Sequence, residues 1–277
     1  MKLAPAITIL LLSAAVVYTQ RVAIVEPETA RVEGLVAAIR ADLVKDLKIL
    51  DASMAEAAFR SVTIADPFNL TTQDARRLGE VLGVGNFVLL RSAVQRRASI
   101  HRPAYFEAYA IAYVVSSRTG SLIGWFRESV EAASEKEARE KLIANTAALA
   151  ERITASLKSN QTSIVRDAKF EEVPPEGSPL TKGLRTPIPY RRMRPEYTEL
   201  ASSYGVRATV DIEVDIDADG SITRTSIERW AGFGLDESVD KAVRSMNWRP
   251  AERNGKPLPM RILLRYNFIK IEKDEAP

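Results

Sequence analysis

The chain has no cysteine among its 277 residues. That excludes disulfides, thiolate nucleophiles, cysteine-ligated zinc, iron–sulfur clusters and a lipid-bearing N-terminal cysteine. It has one histidine, His101, so a two-histidine metal site cannot be assembled. A Ser–His–Asp triad would have to recruit His101, which sits between Ile100 and Arg102 in a basic stretch with Arg96 and Arg97, and no G-x-S-x-G nucleophile elbow occurs. His101 reads as a loop histidine. Charge of one sign is scarce too. Lys+Arg 39 against Asp+Glu 36 leaves +3, which gives no ground for a nucleic-acid partner. With most of the usual catalytic inventory missing, the expectation is no enzyme, no cofactor and no metal.

What is present is a globular composition, 46% apolar and 27% charged, over a length that suits two domains. Residues 1–20 read as an export signal. Lys2 precedes an apolar run from Leu3 to Val17, and about 15 residues fit a signal core but fall short of the roughly 18–20 that span a bilayer. A cleaved signal and an uncleaved inner-membrane anchor both stay open, and both place the body outside the cytoplasm, in the periplasm or cell envelope.

Residues 21–158 alternate strand and helix signals. Val22–Val25 is a short apolar strand; Leu35, Ile39, Leu43 and Leu47 form one helical stripe; Leu47–Leu50 is a second strand candidate. Thr71 begins a helix that carries Ala75, Leu78 and Leu82 and stops at Gly83, and Phe87–Leu90 follows as a buried strand. Strands over 105–115 and 122–130 flank a hairpin loop at 116–120, and a capping box, Ser134 with Glu137, opens one long helix to Leu157. The expectation is a mixed-sheet α/β domain. The opening Val-Ala-Ile-Val, the stretch from Ala75 through Leu78-Gly79 and Leu82-Gly83-Val84 into Phe87-Val88-Leu89-Leu90, and Thr119-Gly120 resemble the small α/β domain of the TolB amino-terminal and CsgG/LpoB group. Gly83-Val84-Gly85 lacks the third glycine of a dinucleotide fingerprint and reads as a turn.

Residues 159–194 read as a linker, with Pro174, Pro175, Pro179, Pro187 and Pro189 and a basic second half (Lys182, Arg185, Arg191, Arg192, Arg194). A solvated tether and a contact with acidic polymers or lipid headgroups are both open readings.

Residues 195–277 are the most legible. Val206, Ala208, Val210, Ile212, Val214 and Ile216 alternate strictly with polar residues, Asp219-Gly220 closes a hairpin, and Ile222–Trp230 returns. Leu235, Val239, Ala242, Val243 and Met246 mark a helix face, and Met260, Ile262, Leu264, Tyr266 and Phe268 alternate in a last strand. The order is β-β-α-β, a helix across a three-stranded sheet, so the fold class of the chain is α/β plus α+β. Asp215, Asp217 and Asp219 read as a solvated hairpin tip, because a calcium loop would need a terminal acidic ligand that is missing. Trp230, Trp248 and Tyr266 read as helix–sheet packing. Pro195-Glu196-Tyr197, Gly205 with Val210, Asp219-Gly220, Gly234-Leu235-Asp236, Trp248-Arg249-Pro250-Ala251, Asn254-Gly255-Lys256-Pro257 and Phe268 resemble, in order, the TonB carboxy-terminal domain.

A sheet whose last strand lies at its edge offers unpaired N–H and C=O groups to an added strand. The resemblance implies that the added strand comes from an outer-membrane receptor, in TonB-dependent transport. The expected partner-binding residues are Arg261, Leu263, Arg265 and Asn267, with Arg261, Arg265 and Asn267 facing outward to select the partner; the plainer reading makes Arg261 and Arg265 a solvated face. A periplasmic assembly or scaffold factor, docking through its α/β domain, is the alternative. Oligomeric state is open.

Overall fold

The computed structural model describes residues 21–28, 31–99, 102–159, 169–175 and 177–269. The export-signal reading of residues 1–20 and the reading of His101 fall outside them.

In the first half, β1 (Arg21–Val25), α1 (Leu35–Leu43), β2 (Lys48–Ile49), α2 (Ala52–Arg60), α3 (Thr72–Leu82), β3 (Asn86–Ser99), β4 (Arg102–Ser116), β5 (Leu122–Ala132), α4 (Glu135–Ala144) and α5 (Thr146–Ser159) follow one another. They form a five-stranded mixed sheet of order β2-β1-β3-β4-β5, parallel from β2 to β3 and antiparallel from β3 to β5. Side chains alternate across a strand, and both faces are apolar here. Val22, Ile24, Val88, Leu90, Ala108, Ala110, Ala112 and Val114 face α1, α4 and α5. The three alanines of β4 leave room for those helices to lie close.

Helix ends follow local chemistry. Thr71 Oγ1 accepts the N–H of Asp74 at 3.0 Å, Ser134 Oγ that of Glu137 at 3.2 Å, and Gly83 ends α3 at φ 65°. The helix expected to run unbroken to Leu157 is instead two helices meeting at Asn145, where the buried Thr146 hydroxyl reaches across to Asp42 at 2.8 Å. Helix α2 was not expected; Asp51 caps it by accepting from Ser53 and Met54 N–H.

The second half contains β6 (Glu171–Glu172), β7 (Leu184–Arg185), β8 (Ile188–Pro189), α6 (Glu199–Ser203), β9 (Ala208–Ile216), β10 (Ile222–Arg229), α7 (Leu235–Arg244), β11 (Trp248–Arg249), β12 (Ala251–Arg253), β13 (Lys256–Leu258) and β14 (Met260–Phe268). Its main sheet runs β10-β9-β14-β6. Val210, Ile212, Val214 and Ile216 share one interior with Leu235, Val239 and Val243 of α7, and Trp230, Trp248 and Tyr266 are buried.

The expectation of a solvated tether does not hold where the region is described. Strand β6 pairs with β14, β7 with β12 and β8 with β11, Tyr190 N donates to Asn247 O at 2.9 Å, and Arg185 pairs with Glu252. Pro189 sits in a two-residue strand at a sheet margin, where a missing N–H is tolerated.

The two halves share an interior. Ala23, Phe87, Leu89, Ile111, Tyr113 and Val115, on the second face of the first sheet, belong to the same apolar cluster as the core of the second. Trp230 meets Tyr113 at 5.7 Å between ring centroids, and Trp125 meets Phe233 at 4.7 Å. Asn69 and Trp230 match polar groups across the seam. Asn69 Nδ2 donates to Thr209 O and Trp230 O at 2.8 Å, its Oδ1 accepts Thr209 N at 2.9 Å, and Trp230 Nε1 donates to Gly120 O at 3.1 Å.

Gly120, whose carbonyl takes the Trp230 N–H, is itself pressed against α3 within the first half. It has φ 73°, and a Cβ there would stand 1.9 Å from Thr72 O, whereas Gly83, at φ 65°, has nothing within 4 Å of a built Cβ. Both alanine variants carry the left-handed backbone cost of about 1–2 kcal/mol. Gly120→Ala also drives backbone against backbone, so in urea unfolding it should lose on the order of 3–5 kcal/mol, several times the loss of Gly83→Ala. Equal losses would contradict this close packing of the 116–120 loop on α3.

Candidate partner-binding edge

Strand β14 pairs with β9 from Met260 opposite Ile216 to Phe268 opposite Ala208. In an antiparallel pair the main-chain groups point alternately toward the partner strand and away from it. Arg261 O accepts Val173 N and Arg265 O accepts Arg192 Nη2, both from outside the pair. The odd-numbered residues therefore aim their N–H and C=O at the outer edge. Leu263 and Asn267 share that phase. Strand β6 covers only Met260 and Arg261, so the edge is free of a partner strand, among the described residues, from Ile262 to Phe268.

The four residues singled out from the sequence, Arg261, Leu263, Arg265 and Asn267, are thus the four whose main-chain groups face the edge. Their side chains differ. Leu263 is 54% exposed. Asn267 Oδ1 accepts from Thr209 Oγ1 at 2.9 Å. Arg265 lies across Asp211, Nε to Oδ1 2.7 Å and Nη2 to Oδ2 3.0 Å. Arg261 corrects the expectation of an outward-facing selector: it is 6% exposed and bidentate to Asp215 at 2.6 and 3.0 Å.

These pairs form two rows across the sheet. Asp215 lies between Arg261 and Arg224, and Asp211 between Arg265 and Arg229. Burial alone would raise both carboxyls, but the hydrogen bonds from their arginines outweigh it and hold both below the usual aspartate range. Glu107, at the seam, behaves alike: burial raises it, and Tyr204 and Arg97 more than compensate. Asp236 goes the other way. It accepts Ala231 and Gly232 N–H at 2.9 and 2.8 Å, yet burial pushes its carboxyl up to about 7.

The sequence reading missed the near side of the edge. Arg192 to Pro195 and Tyr197 run beside Arg265 to Ile269 and bound an open groove of about 640 Å³. The basic run Arg191-Arg192, Arg194 was the available signal, but read as linker it carried no position. Asp215 corrects the reading of a solvated hairpin tip: it is buried in β9, held between Arg261 and Arg224. No group of three or more metal-ligating side chains occurs among the described residues, and no described helix is long and apolar enough to cross a membrane.

Residues 193–269 match the family described as the Gram-negative bacterial TonB protein C-terminal domain. Similar solved structures include the TonB C-terminal domain of Pseudomonas aeruginosa, at 24% identity over 32% of this chain and 90% of that one, TM-score 0.27. They also include lipoprotein GNA1162 of Neisseria meningitidis, at 16% identity over 49% and 99%, TM-score 0.35, and the LpoB C-terminal domain of Salmonella enterica, at 9% over 40% and 82%, TM-score 0.28. No curated protein matches in sequence.

Two pH effects follow, of opposite sign. A depressed carboxyl contributes stability that is present above its unfolded pKa and lost as pH falls through the folded one; a raised carboxyl contributes stability that is lost as pH rises through its folded pKa. Urea midpoints should therefore fall below about pH 4, from Asp211, Asp215 and Glu107, and decline again toward pH 7, from Asp236. Asp236→Asn should flatten the upper limb alone. Asp215→Ala, which strands a buried guanidinium, should cost about 3–5 kcal/mol at pH 6.

Proposed function

We propose that this protein works in the cell envelope by binding a polypeptide partner along β14, the partner joining the second sheet as a further strand. One observation carries the reading. The other edge strand, β10, is bridged to the first half of the chain at Arg229, opposite Thr71, while the outer edge of β14 keeps seven consecutive residues, 262–268, free of an added strand among the described residues. Main-chain hydrogen bonding along such an edge supplies affinity, and the side chains beside it supply choice. The match of residues 193–269 to the TonB C-terminal family supports an outer-membrane receptor segment as the partner. It also supports a place in the periplasm, with transport as the setting.

A second reading has its own support. The second sheet is not a free module on a flexible stalk, since its core is continuous with that of the α/β half. Such a body suits a scaffold that presents the edge at a fixed angle within an envelope complex, with no pulling motion required.

Leu263→Pro distinguishes edge binding from any other contact. Leu263 directs its N–H outward, so proline removes a donor from the free edge and leaves the β9 ladder in place. Capture of outer-membrane proteins by the immobilised variant should fall at least about tenfold against wild type, as expected where main-chain pairing supplies the affinity. Undiminished capture would sink the proposal. Leu263→Lys, which keeps the N–H, should retain capture of at least part of the wild-type set.

A further inference from the structure

The chain already holds one acceptor of its own open edge. Arg192 donates Nη2 to Arg265 O at 3.1 Å and lies 5.2 Å over the Tyr266 ring. Tyr266 is only 8% exposed, with its hydroxyl buried beside Arg192. Around it stand Tyr197, Phe268 and the exposed Ile269.

The charges of the groove are unequal. Arg224, Arg229, Arg261 and Arg265 of the sheet each hold a carboxylate. Arg192 and Arg194 are exposed, and no carboxylate of the described residues pairs with either. A guanidinium resting on a neutral carbonyl lacks the opposite charge that a carboxylate offers, and the two parallel N–H groups with which it can grip one. The groove is therefore basic along the segment that carries Arg192 and Arg194, apolar in Tyr197, Phe268 and Ile269, and lined on one side by unpaired main chain.

We propose that this groove receives an extended peptide bearing a carboxylate side chain opposite Tyr266, on the face of the sheet where Arg192 stacks, and that the carboxylate draws Arg192 away from Arg265 O. The freed carbonyl then accepts an N–H of the incoming strand. A peptide without an acid must displace Arg192 and lose that hydrogen bond with nothing in exchange. A peptide with one trades it for a charge-assisted pair, and a lysine at the same position meets Arg192 and Arg194 as like charges. Arg192 is in this way both the cover of the edge and the selector of what lifts it. The inference rests on strand addition at β14 and adds the chemistry of the partner.

The experiment uses the intact protein and dye-labelled seven-residue peptides of alternating threonine and valine, blocked at both ends, with Glu, Gln or Lys at the centre. Fluorescence anisotropy gives Kd for wild type, Arg192→Ala and Leu263→Pro. Wild type should bind the Glu peptide about tenfold more tightly than the Gln peptide, with Lys weakest. Arg192→Ala should bind the Gln peptide more tightly than wild type does and reduce the Glu-to-Gln ratio to about threefold or less. A ratio unchanged in Arg192→Ala overturns the inference. Peptides that all bind equally, yet are lost in Leu263→Pro, overturn the inference and leave strand addition standing. If no peptide binds, if binding survives Leu263→Pro, or if only vesicles of phosphatidylglycerol bind, both fail. Thermal melts of the variants check that each is folded.

Discussion

Tyr113, Trp125, Trp230 and Phe233 meet between the two sheets, and the geometry of the molecule follows from their burial. Aromatic side chains of this size remove some 150–250 Å² each from water, so the halves gain most by closing over them. Closure fixes orientation. Trp230 directly follows β10, and its indole N–H reaches Gly120 O, so that end of β10 is held against the first half while β14 lies beyond β9.

The open strand is also braced from behind. Each of its two arginines on the polar face is held by an aspartate of β9, and each aspartate is shared with an arginine of β10. Paired in this way, Arg261 and the two buried aspartates keep their hydrogen bonds satisfied, and removing one member leaves its neighbour stranded. A rigid edge presents its main-chain groups at fixed spacing, so an added strand meets little further ordering cost on this side of the contact.

Much of this was readable in advance, for reasons that differ by element. Strict alternation through Val206–Asp217 and Met260–Phe268 identified β9 and β14, because a sheet with one core face writes that period into its residues. Thr71, Gly83 and Ser134 marked helix ends because their chemistry is local. The seam was harder. The run Ala108 to Val115 is apolar on both faces of β4, which says that both are covered but not by what. The break at Asn145 depends on Asp42, a residue about a hundred positions away, and the place of Arg192 beside Arg265 depends on pairing of short segments that carry prolines. Contacts of that kind leave no periodic trace. Arg261 shows the same limit: alternation gave its phase correctly, while its depth was set by Asp215.

The continuous interior also bears on where one unit of this chain stops and another starts. A family boundary near residue 193 divides the amino-acid string, but in space it passes through packed aromatic rings and through the strands that tie residues 171–189 to the second sheet. A fragment cut at that boundary would present Trp230 and Phe233 to solvent as a raw patch, and such a patch adheres to whatever is near. Stickiness in an excised half would then be an artefact of the scissors, since the edge that is free of a partner strand among the described residues, 262–268, lies elsewhere on the sheet.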